Sequence, residues 1–486
     1  MEDHDRKQDV NSSPENRRYG LVDGPGAARF FELFTTALAS RFEEKPPEVL
    51  FLRRPDDGTA VYRPEVDPLT ALKIRTFDTV RGFEEDKVDA VLLPCFQGQA
   101  FIAEIEAETV VPIVSLMDAV RAEVSRRHPA GGRIGILCAD RLRDSGFFEH
   151  HFPQERWTLL YPVPDIQRDC VMPVIDGVDG VDPVDRLADA CRDLVRQGAE
   201  SIVAGDAAIA AVAQALQARG FPLADSLQVY AEHAAMAPRV RKTKPFKIGV
   251  AGGVGPAATV DFLDKIVRNT PAHRDQDHLK VVVEQNPQIP DRTAHLLGQG
   301  ADPTIALYAT CKRLEAAGAD IIAIPCNTAH AFVGRIQPFL SIPIVNMLRE
   351  TAECIRRDHG GCSKVGLLAT SGTIASRVYH EAVASAGFEL IVPDAENQDR
   401  VMNAIYGPKG VKAGFTEGRC VDDLLRALTS LVKRGADVII LGCTELPLLL
   451  AQNKAFPVAG RTVAVLDPTD ILARKCVSLG RQAAGE

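Results

Sequence analysis

Short β-branched, apolar runs recur along the second half of the chain: KIGVA (247–251), KVVVE (280–284), DIIAIP (320–325), PIVNM (343–347), KVGLLA (364–369) and DVIILG (437–442). Between them lie longer stretches such as 303–317, where Ile305, Ala306, Ala309, Leu314 and Ala316 keep roughly helical spacing. Strand runs alternating with helical segments predict an α/β fold with parallel sheets.

The same pattern occurs twice. LLPCFQGQAF (92–101) parallels the segment from Ala323 (AIPCNTAHAF), and VPIVSLMDAVRAEVSRR (111–127) parallels IPIVNMLRETAECIRRD (342–358). GGRIGILCAD (131–140) answers SKVGLLATS (363–371), and VRQGAESIVAGD (195–206) answers VKRGADVIILGC (432–443). The order is conserved, and the offset stays between 231 (Cys95 to Cys326) and 237 (Asp206 to Cys443), which marks an internal duplication. The basic stretch PRVRKTKP (238–245) lies between the copies and reads as a linker. The expected organisation is a tail over 1–18, a first domain over 19–240, a linker over 241–245 and a second domain over 246–486.

A chain of 486 residues is long for a single core, in keeping with two domains. A net charge of −9 gives no general attraction to nucleic acid or to an anionic membrane, so a small-molecule ligand is expected instead. The first eighteen residues are polar and charged, with no apolar signal core, and no later run approaches the ~20 apolar residues that span a bilayer. A cytoplasmic protein with a disordered tail is expected. Eleven cysteines with no C-x-x-C pair call for neither a disulfide framework nor a structural metal.

Two of those cysteines stand apart. Cys326 and Cys443 each end a buried-strand run and precede polar residues able to open a helix, Cys-Asn-Thr-Ala-His and Cys-Thr-Glu-Leu-Pro. Ligands of open α/β sheets bind beyond the carboxyl ends of strands, and a thiol near a helix N-terminus has its thiolate stabilised by oriented N–H groups. Two thiols at matched positions of two lobes suit a reaction with matched faces. The other reading of each, a small buried hydrophobe, is the one expected of Cys138, Cys170, Cys191, Cys311, Cys354, Cys362, Cys420 and Cys476.

PCNTAH (325–330) and GCTELP (442–447), preceded by GGVGPAAT (252–259), resemble the signatures of the aspartate/glutamate racemase superfamily over about residues 246–480. The resemblance implies tandem racemase-like domains, each of two pseudosymmetric Rossmann-like lobes, with substrate between the lobes and one thiol on each side of Cα. It implies two-thiol deprotonation and reprotonation with no pyridoxal phosphate, metal or other cofactor, Cys326 serving the D-enantiomer and Cys443 the L-enantiomer. Asn327, Thr328 and Thr444 become the candidate anchors of the α-carboxylate; helix capping is their other reading. NPQIPDRTAH (286–295) resembles the aspartate racemase segment whose arginine receives the side-chain carboxylate, here Arg292, and VKAG (411–414) the segment that supplies a lysine, here Lys412. A guanidinium fork is a sound device for selecting a second carboxylate. His330 and Glu445 are candidates for tuning the thiols. The glycine loop lacks the spacing of a nucleotide site.

The expected activity is therefore aspartate racemisation. The alternatives are a superfamily reaction on glutamate, a broad amino-acid range or another carbon acid, and, from another class, a ligand-binding or regulatory protein. In the first half Cys95 survives, but Phe96-Gln97 replaces Asn-Thr and Asp206 stands where the second half has Cys443, while Arg53 and Arg54, beside PDDGT (55–59), are out of register with Arg292. A degenerate racemase-like domain is expected there, and the chain is expected as a monomer with an internal pseudo-dimer or as a homodimer.

Overall fold

The computed structural model describes residues 18–24, 26–41, 67–180, 182–237 and 244–485. Most of the expected tail, the stretch with Arg53, Arg54 and 55–59, and linker residues 241–243 lie outside the described residues. The chain divides into two compact units between Lys244 and Pro245.

Unit 2 holds two sheets. The first is formed by β8 (Lys247–Gly252), β9 (Lys280–Gln285), β10 (Ile321–Ala323) and β11 (Ile344–Val345), in the order β11-β10-β8-β9, all parallel. The second is formed by β12 (Lys364–Leu368), β13 (Glu389–Ile391), β14 (Val438–Leu441), β15 (Asn453–Val458) and β16 (Arg461–Leu466), in the order β13-β12-β14-β16-β15. β8, β10 and β14 are buried almost throughout, as expected of parallel strands covered by helices on both faces. Only β15 runs antiparallel, at an edge, where Pro457 removes no needed donor. Ala459 and Gly460, both at positive φ, turn the chain between β15 and β16.

Unit 1 repeats this plan with β1 (Tyr19–Leu21), β2 (Ala90–Leu92) and β3 (Ile113–Val114) in one sheet, and β4 (Gly132–Leu137), β5 (Trp157–Leu160), β6 (Ser201–Ala204) and β7 (Leu223–Ala224) in the other. The orders β1-β2-β3 and β5-β4-β6-β7 reproduce β8-β10-β11 and β13-β12-β14-β16. Local signals repeat too. Ser115 and Asn346, at equivalent positions, each cap the helix that follows β3 or β11 by accepting from its first N–H groups.

Helices supply the outer layers through apolar stripes. Arg419–Lys433 buries Cys420, Leu424, Ala427, Leu428, Leu431 and Val432, a spacing of three and four that turns one face to the second sheet. Among the described residues, no helix is long and apolar enough to cross a membrane.

The units differ in how their lobes meet. In unit 1 one apolar cluster runs from Tyr19, Leu21 and Leu92 of the first sheet through Phe96, Phe147 and Phe148 to Ile134 and Leu137 of the second. In unit 2 no apolar cluster contains strand residues of both sheets. A polar seam separates them, and the candidate site lies on it.

Candidate functional site

β10 and β14 deliver the two thiols. Cys326 follows β10 by three residues and Cys443 follows β14 by two, so both lie beyond carboxyl ends of parallel strands, one in each lobe. One pocket joins them, lined by Val254, Arg292, Thr293, Cys326, Asn327, Thr328, Thr370, Tyr406, Lys412, Cys443, Thr444 and Glu445. Its free volume of about 10 Å³ is no more than a single water needs, so the lining is tightly closed and must move for a substrate to enter. Every second-half residue singled out in the sequence lines it except His330.

Four threonines make the seam. Thr328 Oγ1 lies 2.7 Å from Thr373 Oγ1 and 3.3 Å from Thr370 Oγ1, and Thr293 Oγ1 donates to Thr370 Oγ1 at 3.1 Å. Thr328 thus ties the lobes together rather than capping a helix. Asn327 does not cap either: the helix His330–Ile336 begins with no side-chain cap. Its Oδ1 accepts from Tyr379 Oη at 2.5 Å, while its buried Nδ2 has no protein partner. Arg292 uses one terminal nitrogen on the carbonyls of Ile289 and Pro290, at 3.3 and 3.1 Å, and its buried Nε is likewise unpartnered. Burial pulls the Arg292 guanidinium down, but the neighbouring Cys326 sulfur and Asp291 more than offset this. Two buried donors without acceptors beside a cavity favour an anionic ligand.

The Cys443 side brings a carboxylate, Glu445, paired with a lysine. Cys443 Sγ donates to Glu445 Oε2 at 3.0 Å, Thr444 Oγ1 donates to the same oxygen at 3.3 Å, and Lys412 Nζ donates to Glu445 Oε1 at 2.5 Å. Burial, reinforced by the Glu445 charge, pushes the Cys443 thiol well above its ordinary value, although Lys412 pulls the other way. This reverses the lowering expected from its place before a helical turn: only a three-residue 3₁₀ turn follows, at Leu446–Leu448. Burial also works against the Lys412 ammonium, and Glu445 and Cys443 more than compensate. Lys412 therefore meets a protein carboxylate, Glu445, within the cavity. The glycine loop makes room for it: Gly255 has φ +115°, and a Cβ there would lie 2.5 Å from Glu445 Oε1.

His330 stands behind Cys326. Its Nδ1 donates to the Cys326 carbonyl at 2.9 Å and its Nε2 accepts from Met347 N–H at 3.1 Å, so neither ring nitrogen is free for a ligand. Burial holds the ring below the usual histidine range, in keeping with that neutral tautomer. At the equivalent place in unit 1, Gln99 donates to the Leu93 carbonyl at 2.8 Å and accepts from Leu116 N–H at 3.0 Å.

In unit 1 the corresponding seam is apolar. Phe96, Ala139 and Leu142 stand where unit 2 has Asn327, Thr370 and Thr373. Asp206 caps the helix Ala207–Ala211 by accepting from Ala208 N–H at 2.9 Å. Burial raises both the Asp206 carboxyl and the Cys95 thiol.

Several lining residues escaped sequence reasoning. Thr293 adjoins Arg292 in the quoted D-R-T segment and carried a signal; Thr370 and Tyr406 carried none, since only the fold brings them to the cavity.

Two α/β units, each of two lobes of mainly parallel sheet, are the architecture of a tandem racemase-like protein. The chain belongs to the Asp/Glu/Hydantoin racemase family, whose family model matches residues 24–234 and again residues 252–476. Its relatives include the broad specificity amino-acid racemase RacX of Bacillus subtilis, 28% identical over 239 residues that cover 48% of this chain and 96% of that protein. A glutamate racemase of Roseiflexus sp. is 31% identical over 183 residues, 37% of this chain and 63% of the relative. Among solved structures, Picrophilus torridus aspartate racemase is 28% identical with a TM-score of 0.42, covering 49% of this chain and 94% of that one.

Proposed function

We propose that residues 246–486 form a cofactor-independent amino-acid racemase that interconverts L- and D-aspartate, with Cys326 and Cys443 as its two bases. The observation that carries this reading is the pairing of the two thiols across one small cavity with the unpartnered donors Arg292 Nε and Asn327 Nδ2. Asn327, Thr328 and Thr444 are assigned to the α-carboxylate, and Arg292, with Lys412, to the side-chain carboxylate.

The Cα–H of an amino acid is a very weak acid, so removing it needs a positioned base and donors preorganised for the charge that develops on the carboxylate. Cys443 lies against the Glu445 carboxylate, which holds it as the thiol, and Cys326 lies beside the Arg292 guanidinium. In one direction Cys326 takes the Cα proton from one face while Cys443 delivers its own to the other; the reverse reaction exchanges their roles. In line with the stereochemistry that the resemblance implies, Cys326 acts on the D-enantiomer.

The test is incubation with L-aspartate in D₂O. Exchange of the α-proton and loss of optical activity without added cofactor are expected, and no exchange across a panel of amino acids would overturn the assignment.

A broader amino-acid range is the second reading. It is favoured by the Lys412–Glu445 pair, which leaves Arg292 with the open donor for a second carboxylate. Comparable kcat/KM for single-carboxylate amino acids would select it.

For unit 1 we propose a degenerate racemase-like domain without amino-acid turnover, because the residues assigned to the α-carboxylate are replaced and its seam is filled by side chains.

A further inference from the structure

Tyr379 belongs to the helix Val378–Ser385 of the second lobe, whereas Asn327 follows β10 of the first. The phenol is fully buried and its hydroxyl reaches across the seam to Asn327 Oδ1 at 2.5 Å. An amide has a donor end and an acceptor end, and engaging the acceptor leaves only the NH₂ for the other side. That NH₂ is the buried, unpartnered Nδ2 of a residue that lines the cavity and is only 1% exposed.

The duplication supplies a comparison within the same chain. The register that pairs Cys95 with Cys326 pairs Phe96 with Asn327 and Phe148 with Tyr379. It holds locally, because Gly146 and Arg377, also equivalent, are both left-handed and both cap the helix concerned. In unit 1 the two phenyl rings pack with centroids 6.0 Å apart. The aromatic ring is therefore present in both copies, fully buried in both, and what differs is the hydroxyl. It is absent where the amide is absent. Packing alone accounts for the ring; the hydroxyl goes with two polar neighbours, Asn327 across the seam and Thr351, which are Phe96 and Val120 at the equivalent places in unit 1.

We infer that Tyr379 is a positioning residue: it fixes the Asn327 amide with its NH₂ turned into the cavity, ready to donate to the α-carboxylate of the substrate. This rests on the racemase reading but not on aspartate, since every α-amino acid carries that carboxylate. A hydrogen bond of ordinary strength, ~0.5–1.5 kcal/mol, corresponds to a two- to tenfold effect.

The experiment is a double-mutant cycle of Tyr379→Phe and Asn327→Ala in the full chain, read as KM and kcat with the best substrate of an amino-acid panel. Phenylalanine already packs at the equivalent place in unit 1, and thermal melting of each variant checks the fold. Tyr379→Phe is expected to lower kcat/KM about two- to tenfold, and to have no further effect once Asn327 is alanine. Unchanged kcat/KM in Tyr379→Phe, or the same decrement in both backgrounds, would overturn the proposal. Should the phenylalanine variant melt early, Kd for the same substrate, measured below its melting temperature in Cys326→Ser/Cys443→Ser chains with and without Tyr379→Phe, decides it, equal affinities overturning it. Another amino acid heading the panel overturns only the aspartate assignment; turnover of none overturns the racemase reading and this proposal together.

Discussion

Cys443 donates its S–H to Glu445, so the side of the cavity that holds the Lys412–Glu445 pair carries a protonated thiol at neutral pH. The opposite thiol, Cys326, faces Arg292 instead. The asymmetry has a direct chemical readout.

Because the Cys443 thiol sits well above its ordinary value, partly through the Glu445 charge, its thiolate fraction at pH 8 is small. Replacing Glu445 with glutamine removes that charge and leaves Lys412 facing the sulfur, which shifts the thiol downward and increases thiolate. Iodoacetamide at pH 8, followed by mass spectrometry of the Cys443 peptide, should label Glu445→Gln several-fold faster than the unmodified chain. Slower or equal labelling would mean that Glu445 does not hold the proton on Cys443.

Loss of either proposed base should remove racemisation. Cys326→Ala and Cys443→Ala are each expected to lower kcat by at least ~10²–10⁴-fold, the range for a positioned proton-transfer group. Cys95→Ala and Asp206→Ala should remain within a few-fold of wild type. A comparable loss from the unit 1 pair would show that chemistry extends beyond unit 2.

Arg292 offers a buried, unpaired Nε, and lysine cannot reproduce its fork. Arg292→Lys is expected to raise KM for aspartate by about tenfold, roughly the 1.5–3 kcal/mol of a charge-assisted hydrogen bond at its lower end. KM for alanine should change much less. Equal effects on the two substrates would remove Arg292 from side-chain recognition.

His330 bridges two backbone groups as Gln99 does in unit 1. His330→Gln should therefore fold with a urea midpoint close to wild type, whereas His330→Ala leaves two buried backbone groups unmet at about 1–3 kcal/mol each. The neutral ring also predicts no inflection from His330 near pH 6.5 in the activity profile. Equal destabilisation by glutamine and alanine would contradict the bridging role.

Gly255 at φ +115° confines a tight approach of the backbone to Glu445. Gly255→Ala combines a left-handed alanine, costing about 1–2 kcal/mol, with displacement of the carboxylate. The urea midpoint should fall and the labelling of Cys443 should rise, as in Glu445→Gln. A fall without the change in labelling would separate backbone strain from the thiol's environment.

Much of the fold was legible because its parallel strands leave contiguous apolar runs. The six runs of the second half fall on β8, β10, β11, β12 and β14, which are largely buried, and on β9, a more exposed edge strand. β13, β15 and β16 were not foreseen: β13 is half-exposed and β15 largely exposed, and β16, buried from Val463 to Leu466, follows an Ala459-Gly460 turn that lacks the usual Asn or Asp. In the site, the thiols and Arg292 were legible because each sits in a distinctive local string. Tyr379, Thr370 and Thr373 were not, because an ordinary residue on an ordinary helix or cap acquires its meaning only when the other lobe arrives. The partner of Lys412 was hidden for the same reason: Glu445 is thirty-three residues away and meets it only across the cavity.

The apolar core that runs unbroken through unit 1 bears on motion as well as on chemistry. Two lobes joined by hydroxyl-to-hydroxyl bonds can part and exchange those bonds for bonds to water at little net cost. Two lobes joined through Phe96 and Phe148 cannot separate without exposing both rings. At this seam, then, the same plan resists separation of its lobes more strongly in unit 1, where rings would be exposed, than in unit 2, where hydroxyls would only change partners.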